Sequence, residues 1–535
     1  MVAKVFIVLL SLFFISFVFY DLNWGAPFYF HPDERNIASS VSQLNLFSNM
    51  NPHFFAYGTL PIYSVYFLGI LLNFLLNHQI NFNVRFEEAL TIGRFISAVL
   101  TLALVFLTYK FTNRIAGRSA AIFSVIISAT SVGYLQFSHF STFEIWLAFF
   151  SLLMAHLFFL FLRTGKIVYF ILGSVSVGII SALKLSSIAL VLVPSFIVIV
   201  GLFKSEKKYL RVKKSFKLFL FLIYFSSVAY FFSSPFNFFD RQSFLSSMRY
   251  EAGVATGIIP VFYTGEFYGA IPIIFHFEKI LPFLINPVLT FISIPAIFYL
   301  FFISLKRKKT GIGIILLSFL ALFVSSSFLF AKWARYIIPS LPFLYILISI
   351  FVLEIKKAIP QVLFKILLSA IIITSFIYAF SFVKTVRLSP DTRLEATSFA
   401  KGNIPSSSFI LSEVYDMGIV PFNERFHNIA LFNFYDLNNG MPKKDELESL
   451  LKQTDYIVLP SQRIYKSRIL NPDKFPNGNK FYSDLFAEKL GFKKIYETPC
   501  DIFCKIIYID NPVFNVEETT NVFDRPTVFI FKKLR

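Results

Sequence analysis

Apolar runs of near-membrane length, broken by short polar stretches, fill residues 1–384. A helix that crosses a bilayer needs about twenty such residues. About eleven segments meet that demand: 4–20, 89–110, 118–138, 143–162, 167–183, 185–203, 216–233, 283–304, 311–330, 335–353 and 361–382. Between Ile167 and Phe203 the only charge is Lys184. One helix over that stretch would be roughly 55 Å long, too long for a hydrocarbon core of roughly 30 Å. Two helices that turn at Lys184 are therefore expected. Leu60–Leu76 is also apolar enough to cross, yet counting it would flip every later loop. It is expected instead as a surface helix at the outer boundary, where Tyr57, Tyr63 and Tyr66 suit the interface.

The pattern changes near Thr385. Strands are expected at 408–414, 428–432, 456–459, 493–497, 504–509 and 527–531. Helices are expected at 390–402, with Asp391 as its cap, and at 443–453 and 481–490. The fold class predicted is therefore mainly α: a polytopic membrane protein (1–384) followed by an extracytoplasmic α/β domain (385–535).

Composition agrees. Of 535 residues, 56% are hydrophobic and 73 are Phe, more than soluble domains carry. The net charge of +19 raises the question of nucleic acid. Its basic residues instead sit in short clusters between apolar runs, which argues against a nucleic-acid partner and for the bilayer. With the N-terminus inside, the clusters around Lys110–Arg118, Arg163–Lys166, Lys204–Lys217, Lys306–Lys309 and Lys356–Lys357 all fall on the cytoplasmic side. The first outer loop is then 21–88 and a large outer loop is 234–282. Val5–Tyr20 resembles a signal peptide but lacks a small-x-small cleavage site, so a retained signal-anchor is expected. These features place the chain in the cell membrane as a multi-pass protein. The two cysteines, Cys500 and Cys504, suit a local disulfide at a turn or two free thiols. Phosphate-loop and dinucleotide fingerprints are absent, so no nucleotide cofactor is indicated.

The candidate chemistry gathers on the predicted outer face. Asp33 and Glu34 follow the first apolar helix, and a plain helix cap is the bland alternative. Glu144 opens a later helix, where an acid also suits the dipole. Arg94, Lys184, Lys332 and Arg335 lie at outer helix ends. A buried cation there needs a partner or a wet cavity, and snorkelling is the plain alternative to binding a lipid phosphate. His53, Tyr57, Glu251 and Glu266 are acceptor-cleft or lid candidates. His31, His53 and His139 permit a divalent cation, with Asp33 and Glu144 as further candidate ligands, although the spacing is not diagnostic.

Pro32-Asp33-Glu34, Pro52-His53-Phe54, Tyr57-Gly58-Thr59-Leu60-Pro61, Arg94, Phe143-Glu144, Lys184 and Arg335-Tyr336 occur in an order that resembles the GT-C membrane glycosyltransferases of the protein O-mannosyltransferase and aminoarabinose-transferase superfamily. The resemblance covers about 1–385. It implies transfer of a sugar from a polyprenyl-phosphate carrier to a protein, glycan or lipid acceptor on the outer side. It implies Asp33 as general base, Glu34 as its orienting or acceptor-binding neighbour, Glu144 as the second-loop acid, and Arg94, Lys184 and Arg335 as phosphate ligands. Two departures stand out. Thr59-Leu60 replaces an acid–lysine pair found in some members, and glutamate replaces the second-loop aspartate of many. One base suffices for direct displacement, so inversion is expected. The competing readings are a transporter, which would favour midplane charges and repeated halves, and a lipid-linked glycan polymerase or ligase.

Overall fold

The computed structural model describes residues 2–78, 81–203, 208–307, 309–438 and 440–534. Lys204, Lys207 and Lys308 of the expected basic clusters lie outside the described residues.

The helices run α1 (Val2–Val18), α2 (Pro32–Ser42), α3 (Leu60–Asn77), α4 (Phe86–Ala116), α5 (Arg118–Ala129), α6 (Val132–Phe137), α7 (Glu144–Thr164), α8 (Ile167–Leu183), α9 (Leu192–Phe203) and α10 (Lys208–Ser233). They continue with α11 (Phe236–Phe239), α12 (Arg241–Thr256), α13 (Leu281–Ile285), α14 (Pro287–Arg307), α15 (Thr310–Ser327), α16 (Leu341–Ile355) and α17 (Gln361–Phe382). Among the described residues, seven helices are long and apolar enough to cross a membrane, and five shorter apolar helices accompany them. Each expected span falls on helix, with informative differences at the ends. The 118–138 segment breaks at Thr130–Ser131, where the Ser131 side chain accepts from the Tyr134 N–H and starts a new helix. The 185–203 segment opens as a 3-10 turn over Leu185–Val191. The 335–353 segment opens as two short 3-10 turns, because Pro339 and Pro342 deny regular helix to the residues before them.

The close approaches that shape the Asp33 end of the bundle rest on glycine. A Cβ on Gly93 would lie 1.8 Å from Ser141 Oγ, so only glycine lets α4 meet the 139–143 loop. A Cβ on Gly58 would lie 2.1 Å from the Ala182 carbonyl oxygen. The Gly58 N–H donates to the Leu183 carbonyl at 3.0 Å, which brings Tyr57 beside the Lys184 turn.

Beyond α17 come α18 (Thr392–Asn403), α19 (Met441–Gln453), α20 (Tyr465–Leu470), α21 (Pro476–Phe486) and α22 (Ile502–Ile507). They surround β1 (Ile410–Glu413), β2 (Ile429–Phe432), β3 (Tyr456–Leu459), β4 (Phe492–Glu497) and β5 (Phe529–Lys533), ordered β2-β1-β3-β5-β4. The β1 pairs are parallel and the β5 pairs antiparallel. Asp391 caps α18 as expected. The strand expected at 504–509 is instead helix α22. Its first turn is capped by the Asp501 side chain and closed by a Cys500–Cys504 disulfide, which a straight strand would not permit.

This part packs tightly against the helical bundle. The 516–524 segment threads into it: the Glu517 N–H donates to the Lys279 carbonyl at 3.1 Å, and Glu517 accepts from the Ala334 N–H at 3.0 Å. The Tyr378 hydroxyl donates to the Ile507 carbonyl at 2.8 Å.

Candidate active site

Helix α2 separates the adjacent acids, because neighbouring helical residues point about 100° apart. Asp33 faces a cavity of about 410 Å³, whereas Glu34 turns inward. His31 caps this helix, its Nδ1 accepting from the Glu34 N–H at 3.5 Å.

Glu34 is 1% exposed and accepts both Nε and Nη2 of Arg94 at 2.8 Å, together with the Ser141 N–H at 2.6 Å. Burial would raise its carboxyl; the Arg94 charge and these hydrogen bonds outweigh that and hold it below the usual range. Arg94 spends its remaining donors on the Leu22 and Trp24 carbonyls at 3.0 and 2.9 Å and lies over the Trp24 ring. Glu34 and Arg94, expected to orient the acceptor and to bind phosphate, are thus engaged with one another. Each satisfies the other in the core, and neither faces the cavity.

Asp33 has a different partner. It is ion-paired with Nη1 of Arg335, which also donates to the Tyr57 hydroxyl at 2.9 Å. Burial pushes the Asp33 carboxyl up, but Arg335 and Tyr57 prevail and hold it below its ordinary value. Glu251 lines the same cavity, and there burial prevails and raises its carboxyl. Two carboxylates on one cavity are thus tuned in opposite directions.

Arg335 lines a second, smaller cavity of about 20 Å³ together with Lys184, Phe143 and Tyr336. The Lys184 ammonium sits 3.3 Å from the Tyr336 ring centroid and 5.4 Å from that of Phe143. Glu144 is 2% exposed, with Oε2 lacking a hydrogen-bond partner, and Arg335 Nε is buried and likewise unpartnered. The site thus holds unspent donor and acceptor capacity beside two cations.

The remaining expected residues lie elsewhere. Lys332 Nζ donates to the Leu329 and Phe330 carbonyls at 2.6 and 3.3 Å, and Lys332 lines neither the Asp33 cavity nor the Lys184 cavity. Glu266 is corrected from acceptor contact to clamp: it pairs with Lys466 at 2.6 Å and accepts from the Glu518 N–H at 3.0 Å. His53 is exposed, 4.0 Å from Asp240, and outside the cavity lining. The His139 ring nitrogens lie 2.8 and 2.9 Å from the Leu135 and Tyr20 carbonyls, and Nδ1 also meets the Ser138 hydroxyl at 3.1 Å, so the ring sits among bundle partners. The three histidines are therefore not gathered around an ion, and among the described residues no group of three or more His, Cys, Asp or Glu side chains is arranged to hold a metal.

Sequence reasoning missed the far wall. Arg393, Asp416, Arg463 and Glu518 close the cavity from the C-terminal part, with Tyr415 and Phe523. Arg463 Nε donates to Glu518 Oε1 at 3.0 Å. No local motif marks these positions, which reach Asp33 only through tertiary docking. Tyr250, Tyr263 and Trp333 add aromatic surface from the bundle side.

Comparisons with known proteins agree with this architecture. Residues 81–231 match the family described as dolichyl-phosphate-mannose-protein mannosyltransferase, a segment that holds Arg94, Glu144 and Lys184 but not Asp33. No curated protein matches the chain in sequence. The crystal structure of the Archaeoglobus fulgidus oligosaccharyltransferase in the apo form aligns with a TM-score of 0.52 at 14% identity, over 98% of this chain and 88% of that one. The same enzyme tethered to an acceptor peptide containing the NVT sequon aligns at 0.51 and 13% identity, over 98% and 88%. ArnT from Cupriavidus metallidurans bound to undecaprenyl phosphate aligns at 0.44 and 12% identity, over 99% and 98%. The chain adopts the GT-C fold that its sequence resembles.

Proposed function

We propose that this chain is a glycosyltransferase that moves a sugar from a polyprenyl-phosphate carrier to an acceptor hydroxyl, at the outer membrane face and with inversion at the anomeric carbon. The observation that carries the reading is the Arg335 guanidinium, ion-paired with Asp33 in the main cavity and shared with the Lys184 cavity behind it.

The step divides as follows. Asp33 takes the proton of the acceptor hydroxyl. The oxygen attacks the anomeric carbon from the face opposite the carrier phosphate. The glycosidic C–O bond breaks, and its electron pair leaves on the phosphate. Arg335 and Lys184 receive that charge, as preorganised cations in a water-poor site should. A sugar phosphate already carries a good leaving group, so positioning and charge stabilisation are most of what the protein must supply.

Asp33 held low by Arg335 would be a weak base. When the donor phosphate engages Arg335, the guanidinium divides its charge between two anions and Asp33 regains basicity. Donor binding therefore arms the base, and an empty site keeps it quiet. Glu251 and the Tyr57 hydroxyl line the acceptor side. The C-terminal residues 385–535 form the domain that closes the acceptor cleft through Arg463 and Glu518.

The test uses the full-length protein in proteoliposomes with sugar-labelled polyprenyl-phosphate donors and candidate peptide, glycan and lipid acceptors. Acceptor-dependent release of polyprenyl phosphate, with inverted configuration in the product, is expected. A product of retained configuration, or no release with any donor, rules the reading out.

A further inference from the structure

We propose that a second anion site, built for a phosphate-bearing group such as an anionic phospholipid headgroup, lies at the end of the bundle opposite Asp33 and is formed by Arg114, Arg163 and Lys309.

A cavity of about 350 Å³ is lined there by these three cations, by Thr310 and Gly311, and by the apolar Ile115, Phe159, Leu162 and Ile312. Three helices fix its place. Arg94 and Arg114 both lie on α4, twenty positions and so about 30 Å apart along its axis. Glu144 and Arg163 lie at opposite ends of α7. Helix α15 starts at this cavity and finishes near Ser325 and Ser326, which line the Lys184 cavity. The separation is close to the roughly 30 Å of a hydrocarbon core, so the two sites sit at opposite membrane surfaces.

The cavity is lined by charges of one sign. Among the described residues, no carboxylate lines this cavity and no ion pair engages Arg114, Arg163 or Lys309. Arg163 Nη1 reaches the Arg114 carbonyl at 3.3 Å, which satisfies a helix end but neutralises nothing. All three stand exposed at the rim, where water and salt screen their mutual repulsion and their donors stay open to an anion.

The backbone adds to this. Lys309 caps α15 without a side-chain hydrogen bond, so the first N–H groups of an 18-residue helix also face this end. A Cβ on Gly311 would lie 3.0 Å from the Phe159 ring and 3.3 Å from Ile115, so glycine lets that turn come in close. Cations at the rim with apolar side chains beside them match a headgroup phosphate with an acyl chain alongside, as basic pockets between helices do. The inference does not depend on the reaction at Asp33.

Full-length protein is released for native mass spectrometry from nanodiscs of equal phosphatidylglycerol and phosphatidylcholine. Preferential retention of phosphatidylglycerol is expected. The triple variant Arg114→Gln/Arg163→Gln/Lys309→Gln should lower it about tenfold or more, since each cation contributes separately. The variant Lys356→Gln/Lys357→Gln/Lys365→Gln removes as much charge outside the cavity and should lower retention several-fold less than the cavity variant does. Gel filtration and melting of each variant show that it is folded, and Arg163→Lys, which keeps the charge, should retain the lipid if the triple variant fails to fold. Displacement of the lipid by inorganic phosphate would assign the same site to a free phosphate; resistance to it would assign the lipid. Equal retention of both lipids with no phosphate binding, or equal loss in both triple variants, overturns the proposal.

Discussion

Arg335 and Asp33, 302 positions apart in the chain, form an ion pair on the cavity wall, and the same guanidinium nitrogen donates to the Tyr57 hydroxyl. The acid limb of the rate profile should report this pair. Arg335 holds the Asp33 carboxyl below its ordinary value, so activity of the free enzyme should persist to lower pH than an unperturbed carboxylate allows. Arg335→Gln removes the depressing charge, and the acid limb of kcat/KM should then move to higher pH as well as the rate falling. Measuring kcat/KM between pH 4 and 9 for both proteins checks this. A limb that stays in place would show that Asp33 does not set it.

Arg94 and Glu34 make the opposite kind of pair, sealed in the core. Removing one partner of a buried pair leaves an uncompensated charge and typically costs about 3–5 kcal/mol. Arg94→Met should therefore lower the melting temperature sharply, and Arg94→Met/Glu34→Leu should recover much of the loss. If Arg94→Met kept full stability and lost only donor affinity, the pair would be a ligand site after all.

Gly58 connects the surface loop to the Lys184 turn. Gly58→Ala places a methyl group against the Ala182 carbonyl, so the loop must shift and carry Tyr57 away from Arg335. Transfer should fall by at least about tenfold, the scale expected when a positioned group moves by an ångström. Steady-state kinetics of the variant, with its melting temperature alongside, separate this from unfolding.

Much of this was legible in the chain. Apolar runs of fixed length gave the helices, because a bilayer imposes one length on every span. The Lys184 turn followed from a single charge in a stretch too long for one helix. Asp33 stood out because Pro32 and the preceding apolar run set it at a helix start. What stayed hidden required three dimensions. Neighbouring Asp33 and Glu34 look alike in sequence, yet α2 sends one to the cavity and the other to Arg94. That Arg94 and Lys332 need a partner is legible from their place at helix ends, but which carbonyls supply it is not. Arg463 and Glu518 belong to no local pattern, and the helix at 502–507 replaced an expected strand because a disulfide and an Asp501 cap outweigh β-branched propensity.

The docked tail should respond to pH. Burial raises the Glu517 carboxyl to about 7 and the Glu518 carboxyl to about 8, beside Glu266, Lys466 and Arg463. A carboxyl raised on folding holds a proton that the unfolded chain releases. The contribution of these two carboxyls to stability therefore falls as pH climbs from the ordinary carboxylate range to about 8 and then levels off. Glu517→Gln keeps an acceptor oxygen without the charge. It should melt higher than the parent at pH 8.5 and alike at pH 5.5, as thermal unfolding at the two values would show. An equal melting difference between the parent and Glu517→Gln at the two pH values would contradict the tail's electrostatics.

The central claim is that Asp33 activates the acceptor. Asp33→Asn keeps the shape and most of the hydrogen bonding while removing the base. Acceptor-dependent transfer from a labelled polyprenyl-phosphate sugar should fall by about a hundredfold or more, while expression, membrane insertion and donor binding persist. Turnover within a few-fold of the parent, with donor binding intact, would contradict the account.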